Sequence, residues 1–267
     1  MRKNFWWVTY ALLLLSVTVI SWKAESVNKS KQVKISAAPA KLAPKRIFSQ
    51  HISAIYDTAN LQQAGLDPDV FEKAVTGFYN LKATGKVSGF NSILTIVDLN
   101  KSSCTKRMWI IDLINKELVL NTWVAHGSGS GDDQAYHFSN DNDSHASSLG
   151  FYVTDNVYSG KHGRSLRLDG VDSGFNDNAR ARSIVMHAAP YVSEGTINAL
   201  GRLGRSEGCP AISPKVARFV IDELKGKTVL FINGNESDYT SKYLDENVAA
   251  NYVCPINNAG TILNASL

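Results

Sequence analysis

A cysteine in the final third of the chain has the neighbours of a reactive thiol. Cys209 lies in the segment RLGRSEGCPA, close to Arg202 and Arg205 and between Gly208 and Pro210. A cysteine that only fills space in a core normally has apolar neighbours. Nearby arginines instead lower the pKa of a thiol and favour the thiolate, which is the nucleophilic form. The segment therefore predicts an accessible, electropositive environment for Cys209.

Upstream of this cysteine, the apolar strand pattern SIVMHAA carries a histidine, His187, at its end. A thiol nucleophile needs a base within hydrogen-bond reach, and the base needs a third group that fixes its tautomer. A strand end is a rigid support for such a base. The two residues predict a Cys/His nucleophilic site. The alternative, on residue types alone, is a free cysteine and a strand-end histidine that do not meet.

Five segments around these residues resemble the catalytic domain of L,D-transpeptidases of the YkuD type. They are VAHGSGSG, SSLGFYVT, GKHGRSLRLDG, NDNARARSIVMHAA and GRLGRSEGCPAIS, and they are similar to the murein L,D-transpeptidase subgroup in which S-x-G-C is followed by Pro. The resemblance covers residues 88–234. The sequence departs from the general family pattern at three positions: Ala188 stands where Gly is usual, Glu207 where His is usual, and Ala211 where Arg or Asn is usual.

The resemblance implies acyl transfer on the stem peptides of peptidoglycan. The thiolate of Cys209 would attack the carbonyl between the third-position diamino acid and a terminal D-Ala, which releases D-Ala and leaves a thioester. An amine of a neighbouring stem then takes the acyl group and forms a 3-3 type crosslink, with His187 moving the protons. Two alternatives stay open: an L,D-carboxypeptidase or crosslink hydrolase with the same Cys/His site, and a non-catalytic cell-wall-binding module.

The backbone around the cysteine supplies the other catalytic candidates. The N–H groups of Gly208 and Cys209 are the expected oxyanion donors. Ser206, through its carbonyl or its hydroxyl, is the candidate that orients His187. The chain lacks the HExxH and HxxEH spacings that are typical of zinc enzymes, so we expect no metal and no cofactor.

Four side chains are candidates for substrate contacts: Arg205, Arg202, Tyr152 and His126. The two arginines can bind a substrate carboxylate through paired hydrogen bonds and replace the arginine that the family carries after its cysteine. The alternative for them is an ion pair with Glu207 or Glu194. His126 begins a polar loop at residues 126–147, and loops of this length in compact domains are usually functional or mobile.

The elements that must position these residues are mainly strands. Asp67 as N-cap and Pro68 at the first helical position predict the second of two early helices, and Ser213 with Pro214 predicts a later one. Runs rich in β-branched and aromatic residues predict strands at 92–99, 107–113, 117–125, 150–154, 165–168, 183–187 and 227–233. We expect a mainly β fold, a two-sheet β-sandwich with peripheral helices and a short N-terminal helical pair.

The positive charge of the chain is concentrated near its N-terminus. Residues 1–50 contain nine Lys and Arg and one Glu, whereas the rest contains nineteen Lys and Arg and twenty-three Asp and Glu. The folded part is therefore mildly acidic, which disfavours a nucleic-acid partner. Arg2 and Lys3 precede an uncharged run at residues 5–22, which predicts a cleaved signal peptide or a retained membrane anchor. Both interpretations export the protein to the periplasm or cell envelope, and only this run would touch the membrane.

Export also bears on the remaining cysteines. In an oxidising compartment, and with Cys209 kept as a free thiol, Cys104 and Cys254 are left as a possible disulfide. The alternative is two unpaired thiols. The sequence thus divides into a signal peptide or anchor (1–22), a Lys/Ala/Pro linker (23–46), a helical segment (47–87), the catalytic domain (88–234) and a C-terminal tail (235–267).

Overall fold

The computed structural model describes residues 44–255 of the 267-residue chain. The predicted signal peptide or anchor at residues 1–22 lies outside the described residues, as do the linker up to residue 43 and the tail after residue 255. Between residues 44 and 255, no helix is both long enough and apolar enough to cross a membrane.

Five α-helices are found in this part of the chain: α1 (Pro44–Thr58), α2 (Pro68–Ala83), α3 (Glu194–Leu200), α4 (Pro214–Leu224) and α5 (Glu246–Val253). The predicted start of α2 is confirmed, since the Asp67 carboxylate accepts hydrogen bonds from the N–H groups of Asp69 and Val70 at 2.8 and 3.3 Å. These bonds satisfy two donors that a first helical turn leaves open. The start of α4 at Pro214 is also confirmed. Two helices were not predicted: the short α3, and α5, which lies in the segment that was predicted to be a C-terminal tail.

Nine strands within the described residues form one hydrogen-bonded sheet in the order β3-β2-β1-β9-β5-β6-β7-β8-β4. The strands are β1 (Ile93–Asp98), β2 (Met108–Asp112), β3 (Glu117–Thr122), β4 (Val124–Ala125), β5 (Gly150–Gly160), β6 (Gly163–Gly170), β7 (Val185–Ala188), β8 (Ala211–Ile212) and β9 (Val229–Asn233). The mainly β fold with peripheral helices and an N-terminal helical pair is confirmed. The strands are joined edge to edge in a continuous sheet, and alternate residues of a strand face two different cores.

One face of the sheet packs against α1, α2 and α5. Its core is rich in aromatic rings, and Phe151 of β5 stacks on Phe231 of β9 with 4.5 Å between the ring centroids. Asn80 of α2 donates hydrogen bonds to the backbone carbonyls of Tyr243 and Asp245 at 2.6 and 2.9 Å, which ties the C-terminal segment to the helical pair. One core therefore spans the helical segment, the sheet and the start of the tail.

The opposite face of the sheet packs against α4. Val220, Ile221 and Leu224 of this helix share a buried cluster with Leu166 of β6 and Met186 of β7. Burial of such side chains contributes about 1.5–3 kcal/mol each. The helix thus holds the two strands that lead into the candidate site.

The three cysteines, all within the described residues, are unpaired. The Sγ of Cys104 donates a hydrogen bond to the carbonyl of Gly201, at the end of α3, at 3.2 Å. Cys254 is fully buried at the end of α5, in the core that contains the helical pair. The predicted Cys104–Cys254 disulfide is absent from the described residues because the two sulfurs occupy different parts of the fold.

Candidate active site

The pairing of two short strands brings Cys209 to the strand that carries His187. β7 and β8 are parallel, with His187 opposite Ala211, so Cys209 lies two residues before the pairing partner of His187. Its sulfur accepts a hydrogen bond from the N–H of Val185 at 3.5 Å and lies 3.9 Å from the carbonyl oxygen of Ser183. In residues 44–255 these are the polar contacts of the thiol, and the imidazole is not among them. The strand register therefore places Cys209 alongside the strand that carries His187, with no hydrogen bond between the thiol and the imidazole in the described residues.

His187 is buried, and one of its ring nitrogens is occupied. Nδ1 lies 3.0 Å from the carbonyl oxygen of Ala188. Because a carbonyl only accepts, this contact assigns the proton of the neutral ring to Nδ1. Burial lowers the pKa of His187, and the positive charges of His162 and Lys161 lower it further. Nε2 makes no hydrogen bond within the described residues, so the ring presents the unprotonated nitrogen that a general base needs.

The thiol itself is half-buried. Burial raises the pKa of Cys209, while the N–H of Val185 and the positive charge of Arg182 oppose this change. The sequence predicted the opposite, an open thiol with a lowered pKa, and that prediction is wrong because burial outweighs the nearby charges. At neutral pH the thiol is therefore protonated, and it needs a base to become a nucleophile.

The two arginines that were predicted to contact substrate are bonded within the protein. Arg205 donates to the carbonyl of Gly131 at 2.9 Å and forms an ion pair with Asp132 at 2.8 Å. Arg202 donates to the carbonyl of Leu203 at 2.8 Å. The partner of Arg205 is thus an aspartate of the polar loop rather than either of the glutamates considered from the sequence.

A hydroxyl fixes the turn before the cysteine. The Oγ of Ser206 donates to the carbonyl of Cys209 at 2.6 Å and accepts from the N–H of Gly208 at 3.2 Å. We expected Ser206 to orient His187, but the carbonyl of Ala188 does so and Ser206 holds the turn instead. Because the N–H of Gly208 is engaged, it is not the second oxyanion donor that we expected. The N–H of Cys209 donates no hydrogen bond in the described residues and is the remaining candidate.

Two further residues that were predicted to contact substrate are buried. His126 has Nδ1 2.7 Å from Nη2 of Arg107 and Nε2 3.4 Å from the carbonyl oxygen of Gly131. Burial, followed by the charge of Arg107, lowers the pKa of His126 to about 4. Tyr152 is fully buried and donates its hydroxyl proton to the carbonyl of Ser148 at 3.0 Å. Neither side chain is exposed enough to contact a substrate. Both instead stabilise the structure around the site.

Sequence reasoning missed two residues that lie beside the site. His162, at the turn between β5 and β6, stacks on His187 with 4.1 Å between the ring centroids and 21° between the planes. Arg182, three residues before β7, donates hydrogen bonds to the loop that contains Ser139 and Ala146. Both lie in segments that carry the resemblance, GKHGRSLRLDG and NDNARARSIVMHAA. A single sequence does not indicate which cationic side chain of such a segment faces the site.

Two depressions are lined by residues close in sequence or space to the candidate site. One of about 430 Å³ is lined by His162, Arg164, Ala188, Ala217, Arg218, Ile221 and Asp222. The other, of about 350 Å³, is lined by Asn142, Asp143, His145, Ala181, Arg182 and Glu207. Cys209 and His187 are not among the lining residues of either depression. In residues 44–255 no group of three or more His, Cys, Asp or Glu side chains is arranged to hold a metal ion.

Residues 62–233 match the family described as the L,D-transpeptidase catalytic domain. The matched region is well over half of the chain and includes both Cys209 and His187. The chain therefore belongs to the L,D-transpeptidase catalytic domain family, as the resemblance of its motifs implied. No curated protein sequence matches the chain.

The chain is also similar to solved structures. An L,D-transpeptidase from Mycobacterium smegmatis is 12% identical over 54% of this chain and 59% of that one, with a TM-score of 0.33. An L,D-transpeptidase from Stackebrandtia nassauensis is 15% identical over 54% and 57%, with a TM-score of 0.32. The helical cell shape determining protein from Campylobacter jejuni is 12% identical over 67% and 62%, with a TM-score of 0.35. The chain thus spans less than two thirds of the length of these proteins, and the family assignment depends on the sequence match.

Proposed function

We propose that this protein is an exported cysteine acyltransferase that acts on peptidoglycan stem peptides, an L,D-transpeptidase with a thioester intermediate on Cys209. One observation carries the proposal: the parallel pairing of β7 with β8 puts Cys209 alongside the strand that carries a buried, neutral His187. Membership of the L,D-transpeptidase catalytic domain family supports the same reaction. D-Ala is the proposed leaving group, and a 3-3 type crosslink is the proposed product.

The first step is attack on the carbonyl carbon that precedes D-Ala. Nε2 of His187 takes the thiol proton while the sulfur of Cys209 forms its bond to that carbon. The raised pKa of the thiol and the lowered pKa of the imidazole keep both groups neutral at rest. The proton therefore moves during the attack rather than before it. Catalytic hydrogen bonds often form only when substrate binds, and we expect the bond between the sulfur and the imidazole to form at that stage.

The second step releases D-Ala. The N–H of Cys209 stabilises the negative charge on the carbonyl oxygen, and loss of one such donor typically costs on the order of 10²–10³ in rate. The C–N bond breaks, the imidazolium of His187 returns its proton to the leaving amine, and the acyl group stays on the sulfur. An amine of a second stem then attacks the thioester and gives its proton to His187. Breakage of the S–C bond frees the sulfur, which takes that proton back.

Arg205 is the proposed contact for a substrate carboxylate, with Arg202 beside it in sequence. The present partner of Arg205, Asp132, has a side chain that is 81% exposed. An ion pair of this kind is worth at most about 1 kcal/mol, so a substrate carboxylate can displace Asp132 at little cost. The predicted signal peptide or anchor at residues 1–22 would place this reaction in the periplasm or cell envelope, where the stem peptides are.

The proposal is tested by incubating the purified protein with a carbapenem and measuring its intact mass. We expect one covalent adduct per chain, located on Cys209 by peptide mapping and absent from Cys209→Ala. Cys104→Ala is the matched control, since it removes another partly exposed thiol and should leave the adduct unchanged. A wild-type protein that forms no adduct, or an adduct that persists in Cys209→Ala, would contradict acyl chemistry at this cysteine and favour the wall-binding alternative.

A second measurement separates transfer from hydrolysis. Purified tetrapeptide stems are incubated with the protein, and the products are resolved by mass. Crosslinked dimers together with released D-Ala support the proposed transferase. Free tripeptide stems with D-Ala and no dimers would instead identify an L,D-carboxypeptidase, and cleavage of ready-made dimers would identify a crosslink hydrolase.

A further inference from the structure

We infer that Arg182 is a positioning residue of this site: its guanidinium fastens residues 139–148 of the polar loop against Gly208 and supplies positive charge beside Cys209. The inference rests on the proposed function, because it treats Cys209 as the nucleophile. Arg182 is neither one of the arginines that flank Cys209 in sequence nor a residue that the motif resemblance marks as catalytic.

The guanidinium of Arg182 donates four hydrogen bonds to one stretch of the loop. It donates to the carbonyls of Ser139 and Ala146 at 2.7 and 2.8 Å and to the hydroxyls of Ser144 and Ser148 at 3.0 and 2.5 Å. Only the planar, five-donor fork of arginine can bond this many acceptors at once. Residues 139–148 contain no helix or strand, so these bonds define much of the local shape of the loop.

The loop segment that Arg182 holds packs against Gly208, in the turn that precedes Cys209. Gly208 has a φ of 110°, in the region that only glycine adopts without strain. A Cβ at this position would lie 2.8 Å from the carbonyl oxygen of Ala146 and 3.3 Å from Nη2 of Arg182. The carbonyl of Ala146 therefore touches the Gly208 backbone while it accepts a hydrogen bond from Arg182. A shift of the guanidinium would therefore move Ala146 of the loop and Gly208, the residue before Cys209, together.

Arg182 is also linked through the backbone to the strand of the base. The next residue, Ser183, has a φ of 57°, and its carbonyl oxygen lies 3.9 Å from the sulfur of Cys209. β7 follows from Val185 to Ala188 and includes His187. One side chain thus connects the loop, the turn that holds the nucleophile and the start of the strand that carries the base.

The positive charge of Arg182 also acts on the thiol of Cys209. Burial raises the pKa of the Cys209 thiol, and Arg182 is foremost among the charged groups that lower it, ahead of Lys161. The neighbouring Arg180 points to a different environment, since it pairs with Asp155 and forms a hydrogen bond to Asp169 at 2.7 Å. The chain therefore contains two arginines, two residues apart, of which only one is bonded to the loop beside the thiol.

The experiment compares Arg182→Met, Arg182→Lys and Arg180→Met in the full chain. The rate of alkylation of Cys209 by iodoacetamide is measured from pH 6 to 10 by peptide mass analysis. Loss of the charge should reduce the rate at pH 7 by roughly three- to tenfold in Arg182→Met and move the rise in rate to higher pH. Arg182→Lys, which keeps the charge, should show a smaller change, and Arg180→Met should follow the wild type.

Amide hydrogen exchange of residues 139–148 gives a readout of position that is separate from charge. Exchange should become faster in both Arg182 variants, because lysine cannot bond four acceptors, and should be unchanged in Arg180→Met. If Arg182→Met does not fold, the double variant Ser144→Ala/Ser148→Ala removes two acceptors and should accelerate exchange in the same residues. Wild-type alkylation profiles together with wild-type exchange in the Arg182 variants would overturn the inference.

These measurements remain informative if the proposed function fails. Alkylation by a small reagent and amide exchange need no acyl chemistry, so they report on Arg182 even in a protein that forms no carbapenem adduct. An adduct on Cys209 combined with wild-type alkylation and wild-type exchange in the Arg182 variants would leave the proposed function standing and remove Arg182 from it.

Discussion

His126 and His187 are both buried histidines with a lowered pKa, yet they lie in regions with different tasks. At His126 both ring nitrogens have partners, Arg107 on one side and the carbonyl of Gly131 on the other. At His187, among residues 44–255, only Nδ1 has a partner, the carbonyl of Ala188. Burial and a shifted pKa are therefore not enough to identify a functional histidine. The feature that separates them is Nε2 of His187, which has no hydrogen-bond partner in the described residues and belongs to a strand that runs alongside Cys209.

The surroundings of His126 show what a supporting region looks like. Arg107 is fully buried and donates to the carbonyls of Val124 and Lys101 at 3.1 and 2.6 Å as well as to His126. The backbone carbonyl of His126 accepts a hydrogen bond from the N–H of Ser206 at 3.0 Å. These hydrogen bonds fix the backbone that supports the turn before Cys209, so we expect this region to contribute stability and shape.

We expect the largest effect on acylation from a substitution of His187, the proposed base. His187→Gln keeps a polar side chain of similar length but cannot take a proton from the thiol, so we expect acylation of Cys209 by a carbapenem to slow by about 10²–10⁴. The melting temperature should stay near the wild-type value, because within the described part of the chain the ring makes one hydrogen bond, to Ala188. Stopped-flow acylation and thermal unfolding measure the two quantities. Wild-type acylation in this variant would remove His187 from the mechanism.

The next effect is on stability in acid and concerns His126. Its pKa is about 4 in the folded protein and about 6.5 in the unfolded chain. The unfolded chain therefore binds the proton more readily, and stability falls as the pH drops from about 6.5 to about 4, by about 3 kcal/mol from this group. Denaturant unfolding of wild type and His126→Leu at pH 7 and pH 4 measures this difference.

The leucine variant separates the titration from the loss of packing. It should be less stable than wild type at pH 7 by about 1–3 kcal/mol, because Nη2 of Arg107 loses its partner, but it should lose less on acidification. Some acid sensitivity will remain from His51, whose pKa burial also lowers to about 4. An identical loss between pH 7 and pH 4 in both proteins would contradict the assignment of a buried neutral His126.

Local sequence signals explain how much of the fold could be predicted. Asp67 with Pro68 and Ser213 with Pro214 predicted two helix starts from a few adjacent residues, although the side chain of Ser213 makes no capping hydrogen bond in the described residues. The runs of β-branched residues predicted the longer strands, because this signal is also carried by adjacent residues. β8 was missed because two residues, Ala211 and Ile212, carry no periodic pattern, and it becomes a strand only by pairing with β7 and β4.

The site could be predicted in identity but not in chemistry. Cys209 and His187 stand out by residue type, but the register that brings Cys209 alongside the strand of His187 depends on a parallel pairing of short strands. The predicted roles of Tyr152 and His126 did not hold because burial is a property of the folded chain. The pKa of the Cys209 thiol was predicted in the wrong direction for a similar reason. Arg202 and Arg205 are close to Cys209 in sequence, but in the folded chain their charges do not offset the effect of burial.

The smallest expected effect tests whether His162 changes the pKa of His187. His162 stacks on His187, and its charge lowers the pKa of that ring. His162→Asn removes both the charge and part of the cover, and each change raises the pKa of His187. The acid limb of the carbapenem acylation rate should therefore move to higher pH, with a rate loss of about two- to threefold near pH 6. A limb that stays in place or moves to lower pH would show that the stack only fills space. The same substitution should leave the acid stability assigned to His126 unchanged, because that ring is shielded by Arg107 and Gly131 rather than by His162.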